Sequence, residues 1–550
     1  MRIAVVGGGI SGLVAAYRLR QRLGPRADIV VLERGDRVGG VLRTGELAGE
    51  PLDLGAEAFV GRRPEVVELM AELGLDDQLV RPAGKRPLVW SGGVAHPLPP
   101  RTLMGIPSDA ESMRGLVDAE TLARIAAEPT RPLDWRPGTD IDVYSLIADR
   151  FGAQVAERSV DPLLGGVYAG TSATIGVRAA VPPLAAALDR GATSLTEAAR
   201  AALPAPSNAP VFGGLRDGYG ALVDALIEAS GAAIVTTTAA TRIARGRRVS
   251  APVNDTWTSE PAGSTDDSPY PAGSVGDRST SAGSAGDRSG TSSSVGDQST
   301  SVGSVGDGSS GGRAGSEIPV GGRSTSVGSA GDRSGESGSG GGRSTSVGWV
   351  VDPIGRVDAV VLATPAPITA RLLRAVDPIA AEAVAGIELS SSALVALALP
   401  HDTALPDNSG ILIATGEPLR AKAFTLSSRK WPHLAERDVA LVRASFGRFG
   451  DESPLTWSDD ELIAAAVTDL STVTGIPITP LEAVVQRWPG GLPQYAPGHT
   501  DRIATLESAV ASLDGLAVAG AYLHGVGVPA CVAAGTAAAD RIVTSLGSHV

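Results

Sequence analysis

The chain has 550 residues, 43% apolar and 19% charged, enough to build cores for roughly two to four domains. A net charge of −13 argues against nucleic acid as the main partner, because phosphate binding wants a basic face. One cysteine, Cys531, excludes an internal disulfide and a cysteine metal cluster, and six scattered histidines show no ligand spacing, so no metal is expected.

Residues 2–6 read as a short buried parallel strand, 7–12 as a glycine turn, 13–23 as a helix and 28–33 as a second strand. This is a βαβ unit. The sequence enters that strand at once, so no secretory leader is expected. No apolar run reaches the roughly 20 residues of a membrane span. A cytoplasmic protein is expected, with peripheral membrane contact left open. Residues 65–79 have amphipathic helical spacing that ends near Gly74. Prolines and short helical pieces fill 97–137, and 140–160 reads as helix again. A helix over 219–230 precedes strand-like 233–238.

Residues 247–249 lead into a stretch of different character, and 349–351 resume a strand. Between them, 250–348 is almost entirely Gly, Ser, Thr, Asp, Arg, Ala and Val. Gly-Asp recurs with a period of ten, at Gly276, Gly286, Gly296 and Gly306. A calcium-binding β-roll would repeat every nine residues. Such a composition cannot bury enough apolar surface to offset its ordering entropy, so a disordered insert is expected. It interrupts a hairpin or meander, whose ends must then lie close together. Beyond it, 356–364 reads as a buried strand, 390–399 and 410–414 as strands, and 459–474 as a helix. A strand at 516–519, a glycine turn and a helix over 529–546 close the chain.

Gly7, Gly9 and Gly12 supply G-x-G-x-x-G between a strand and a helix. The first glycine permits the tight turn, the second lets backbone approach a pyrophosphate, and the third allows close helix–strand packing. Gly8, Ile10 and Ser11 complete the loop, whose amides and helix dipole favour phosphate. Glu33, at the end of the second strand, can bind ribose hydroxyls, as FAD and NAD require. Arg34 follows it, then a second glycine turn at Gly39–Gly40 with Val41 and Arg43 beyond. Together with the run Asp53, Gly55, Ala56, Glu57, Ala58, this resembles the extended fingerprint of the FAD-dependent amine oxidase/phytoene desaturase/protoporphyrinogen oxidase superfamily. The resemblance implies FAD, with these residues other than Asp53 along its pyrophosphate, ribityl and isoalloxazine, and adds Ala240. The C-terminal stretch Gly520, Gly525, Val526, Gly527, Val528 resembles the superfamily's flavin clasp, which sets a helix dipole at the pyrimidine ring. Cys531 sits among small residues of that helix and reads as packing.

Several segments resemble the protoporphyrinogen/coproporphyrinogen III oxidases of haem synthesis. They are His96–Pro107, Pro162–Gly170, Val177–Pro182, Gly213–Leu226 and Trp488–His499, and the resemblance covers nearly all of the chain outside the insert. It is strongest for actinobacterial coproporphyrinogen III oxidases. It implies removal of six hydrogens from coproporphyrinogen III in three two-electron steps, with molecular oxygen as acceptor and hydrogen peroxide as product. It also leaves room for contact with the next haem-pathway enzyme. Trp488 is expected beside the cofactor. Arg62 and Arg63 are candidates for the substrate's propionates, with solvated surface arginines as the plain alternative. Gly166, Val167, Tyr168, Ile411 and Leu412 are candidate walls of a flat apolar slot, core packing being the plainer reading of the last two. No acid/base residue is singled out. Only Lys85, Lys422 and Lys430 could serve as an amine-oxidase lysine, and none sits in such a context.

The expected architecture is α/β, a Rossmann-type FAD-binding domain with a mixed-sheet substrate domain, a helical domain and the insert. The FAD-binding parts are 1–96, 213–249, 349–370 and 481–550. The helical domain is 97–175, and the substrate domain 176–212 and 371–480. Protoporphyrinogen IX oxidation, amine oxidation, carotenoid desaturation and a non-catalytic FAD-binding scaffold remain the alternatives.

Overall fold

The computed structural model describes residues 1–205, 210–247 and 347–547. The expected disorder of 250–348 falls, up to Ser346, outside the described residues. A five-stranded parallel sheet lies at the centre, in the order Ala233–Val235, Asp28–Leu32, Arg2–Val6, Ala359–Leu362, Leu516–Val518. Its strands are continuous aliphatic runs because helices cover both faces. One face carries the helices Ile10–Leu23 and Val528–Gly547, which pack so closely that a Cβ on Gly535 would lie 2.4 Å from the Ser11 carbonyl oxygen. The other face packs on Ala366–Leu373, Pro378–Ala385 and His499–Ala511. One domain is thus assembled from both chain ends.

Strand Arg242–Arg247 pairs antiparallel with Val347–Asp352, Arg247 opposite Val347, and Gly355–Val357 completes a meander. The insert therefore leaves and rejoins the fold at adjacent points. Ala359–Leu362 belongs to the parallel sheet, so 356–364 is two strands in two sheets. The break is at Asp358, whose carboxylate accepts the Arg2 amide at 2.8 Å.

A seven-stranded mixed sheet forms the second lobe, in the order Glu482–Pro493, Leu389–Pro400, Val439–Phe446, Ala421–Thr425, Gly410–Ile413, Leu88–Ser91, Val94–Pro97. Gly410–Ile413 and Leu88–Ser91 run parallel, the other neighbours antiparallel. Helix Asp459–Thr474 covers one face, entered through a Ser458/Glu461 capping box. The sheet thus takes in 88–97 and 482–493, across the boundaries expected at 96 and 480. The helical lobe is likewise longer than 97–175. Pro182–Asp189 and Leu195–Ala202 pack into the same core as Ala119–Ala127 and Val143–Phe151, burying Leu184, Leu188 and Leu195 there. Among the described residues no helix is long and apolar enough to cross a membrane.

Candidate functional site

All five parallel strands end at one edge, and the loops there hold the glycines. Gly7 has φ +107°, and a Cβ on it would lie 2.4 Å from the Ala363 carbonyl oxygen. A Cβ on Gly12 would lie 2.0 Å from the Gly7 oxygen, so the helix start can rest on the turn only without a side chain. Gly9 is different: nothing lies within 4 Å of where its Cβ would be. That open space beside a helix N-terminus is where a bound pyrophosphate belongs. Gly9 caps Ile10–Leu23 with no side-chain hydrogen bond and no acidic residue in the first turn, so the first amides have no side-chain acceptor. Gly39 and Gly40, at φ +101° and +60°, bring the second turn against the first. The Gly39 amide donates to the Gly8 oxygen at 2.8 Å, and Gly9 pairs with Gly39.

Glu33 closes this cradle. Its carboxylate accepts the amides of Gly8 at 2.8 Å and Gly35 at 2.7 Å. Arg34, Gly40 and Val41 are exposed at the rim, and Arg43 is half-buried. Arg37, missed in the sequence, donates to the carbonyls of Val38 and Leu42 at 3.0 Å and Gly40 at 2.7 Å, and lies over the Trp488 ring. It holds the second glycine turn in shape. Trp488 donates to the Leu54 oxygen at 3.0 Å, beside Gly55, where a Cβ would be 1.9 Å from the Val41 oxygen. Ala56 and Ala58 are half-buried nearby. Ala240 is buried in the apolar core on the sheet's far side from Ile10–Leu23.

The C-terminal loop meets the same edge. Gly520 and Gly525 take φ +141° and +151°, Val526 packs toward the helical lobe, and Gly527 precedes the helix that buries Val528 and Cys531. Burial pushes the Cys531 thiol up to about 11, which suits a packing residue.

Glu57, expected at the cofactor, anchors a largely buried ion cluster. Lys430 and Arg443 both pair with its carboxylate, Trp431 donates to it at 3.3 Å, and Arg443 also bonds the Gly55 oxygen. Burial works against its charge, yet Lys430 and Arg443 hold it well below the usual carboxylate range. The cluster ties the 55–58 segment to strand Val439–Phe446 of the second lobe.

Of the substrate candidates, Arg62 and Arg63 are exposed, and Arg63 pairs with Glu65. Gly166 and Val167 are exposed, whereas Tyr168 is buried, its ring 5.6 Å from that of Tyr495. Side chains alternate along Gly410–Ile413. Leu412 faces the helical lobe, while Ile411 is 1% exposed in the core under Asp459–Thr474. Ile411 is therefore core and not a slot wall.

A parallel sheet with two glycine turns at its carboxyl edge, an acidic strand end and a second helix from the chain's other terminus defines a dinucleotide-binding flavoprotein. The residues fit FAD: the side-chain-free space at Gly9 and the uncapped helix suit its pyrophosphate. Residues 10–262 and 320–543 match the family of flavin containing amine oxidoreductases. Coproporphyrinogen III oxidase of Mycobacterium tuberculosis (strain ATCC 25618 / H37Rv) is 45% identical over 99% of this chain and 98% of its own. That of Mycobacterium leprae (strain TN) is 42% identical over the same shares. A crystal structure from Exiguobacterium sp. 255-15 superposes with TM-score 0.71 at 24% identity, covering 99% of each chain. The chain belongs to the flavin containing amine oxidoreductase family, in its coproporphyrinogen III oxidase branch. It is an FAD-dependent oxidoreductase.

Proposed function

We propose that this chain oxidises coproporphyrinogen III to coproporphyrin III in haem synthesis, in the cytoplasm, with molecular oxygen as acceptor. The observation that carries this reading is the 45% identity with mycobacterial coproporphyrinogen III oxidase along the whole chain. Bound FAD supplies a two-electron acceptor, and the protein's part is to place the macrocycle and the cofactor against each other. Gly7–Gly12, Glu33 and Arg37 hold the nucleotide end. Gly55–Ala58, braced by Arg443 and Lys430, and the Gly520–Val528 loop hold the flavin end. Arg62 presents an exposed guanidinium suited to a propionate. Val167 and Leu412 offer apolar walls.

The test is anaerobic mixing of the holoenzyme with coproporphyrinogen III and, separately, with protoporphyrinogen IX, followed by admission of oxygen. Rapid bleaching of flavin absorbance by the first and slow bleaching by the second is expected, then porphyrin fluorescence with peroxide. The reverse preference would move the enzyme to a later step of the pathway. No bleaching by either, with FAD bound, would overturn the reading.

A further inference from the structure

Behind the Asp53–Ala58 segment lies a hollow in two parts that share lining residues. Its outer part is a cleft of about 380 Å³ lined by Pro51, Arg216, Asp217, His433 and Arg437, among others. Its inner part is a cavity of about 20 Å³ lined by Asp53, Glu57, Gly214, Gly218 and Trp431. Pro51, Arg216 and His433 line both. The inner cavity has room for one water molecule, with polar groups to hold it. His433 stands at the junction. Its Nδ1 is buried and has no hydrogen-bond partner among the described residues. Asp53 is buried at the inner end, accepting the Thr44 hydroxyl at 2.6 Å and the Tyr219 amide at 3.0 Å.

We infer that Asp53, one cavity water and His433 form a proton route between solvent and the flavin site, opening at the Arg216/Arg437 cleft. The inference rests on the flavin assignment of Gly55, which follows Asp53 by two residues. Porphyrinogen oxidation sends two electrons and two protons per step to dioxygen as hydrogen peroxide, so a water-excluding site must move protons. A neutral imidazole does so by accepting a proton on one ring nitrogen and releasing one from the other. Burial, then Arg437 and Arg216, lowers His433 to about 4, so it is neutral at working pH. Burial raises Asp53 to about 6, near the range where a group gives and takes protons readily. The charged and titratable groups facing this pair are Glu57, Arg443 and Tyr219 at the inner end and Glu50, Arg216, Asp217, Glu436, Arg437 and Asp438 at the outer end. Glu57 is held ionised by its ion pairs and is not a carrier.

The test uses holoenzyme reduced by light and EDTA, then mixed with dioxygen or with p-benzoquinone, each taking two electrons and two protons. No porphyrinogen is needed, so its outcome is independent of the substrate. Asp53→Asn and His433→Leu should keep full FAD content. Both should reoxidise at least tenfold more slowly, with a larger solvent deuterium isotope effect. Formate or imidazole in the buffer should restore the rate, which a structural defect would not allow. Rates and isotope effects equal to wild type in both FAD-replete variants would overturn the route, and so would slow variants that small acids and bases fail to rescue.

Discussion

Asp53 is a carboxyl whose fold resists its charge. Burial raises it to about 6, only partly offset by the hydrogen bonds from Thr44 and Tyr219. A carboxyl raised on folding binds more protons folded than unfolded, so its penalty is absent below about pH 4, grows through pH 6 and is then constant. Asparagine keeps the oxygen that accepts from Thr44 and Tyr219 and removes the charge. Asp53→Asn should therefore be more stable than the parent by about 3 kcal/mol at pH 8 and equal to it below pH 4, in urea unfolding followed across pH. A variant less stable at pH 8 would mean that the fold uses the carboxylate's charge. At this scale the sequence was legible where local geometry depends on spacing within a few residues. Gly7, Gly9, Gly12 and Glu33 were found that way. Arg443 and Lys430 were not, because their partner Glu57 lies 386 and 373 positions away, a separation that no local pattern encodes.

Elements read well where one periodicity ruled and poorly where breakers intruded. The parallel strands and the helix Asp459–Thr474 fell where their apolar spacing put them. Glu482–Pro493 did not. It is the edge of the seven-stranded sheet, mostly half-buried, and carries Pro489, Gly490 and Gly491, which belong to edges and bulges. Ala421–Thr425 was hidden by a bulge: the pairing slips between Ala421 and Ala423, turning Lys422 inward. Lys422 is 8% exposed and its Nζ donates to the Gly447 oxygen at 2.6 Å. Burial, aided by Arg448, lowers it to about 7. An amine lowered on folding binds fewer protons folded than unfolded, so stability is lost as pH falls from about 10 toward 7 and stays low below that. Lys422→Met removes this penalty and forfeits one hydrogen bond. It should stabilise the protein by about 2–3 kcal/mol at pH 6 and not at all near pH 11. Calorimetry at the two pH values decides, and a loss of stability at pH 6 would show that the bulge needs the amine–carbonyl bond more than it resists the charge.

At the scale of the whole molecule, the fold is a closure of distant segments. Val5 pairs with Val361 and Val361 with Ala517, so the central sheet waits for the last strand before it is complete. The insert stands between the third and fourth strands of that sheet in sequence, yet leaves the fold at a single point, where Arg247 and Val347 face each other across a hairpin. Loop closure grows only logarithmically with length, by about 0.6 kcal/mol per doubling. Replacing everything between Arg247 and Val347 by Asn-Gly, the dipeptide that suits a two-residue hairpin, shortens the loop by between five and six doublings. The shortened chain should gain about 3 kcal/mol in unfolding free energy, retain its FAD and turn over porphyrinogen at near the parent's rate. Unfolding titrations and flavin content measure the first two, and porphyrin fluorescence the third. A shortened protein that binds FAD and unfolds at higher denaturant but no longer turns over would show that the excised residues act in catalysis. Loss of FAD as well would show that the hairpin register depends on residues beyond Arg247 and Val347. The expectation of neither rests on the cradle itself: Gly9, Glu33 and the helix Val528–Gly547 are held by contacts that the hairpin tip does not make.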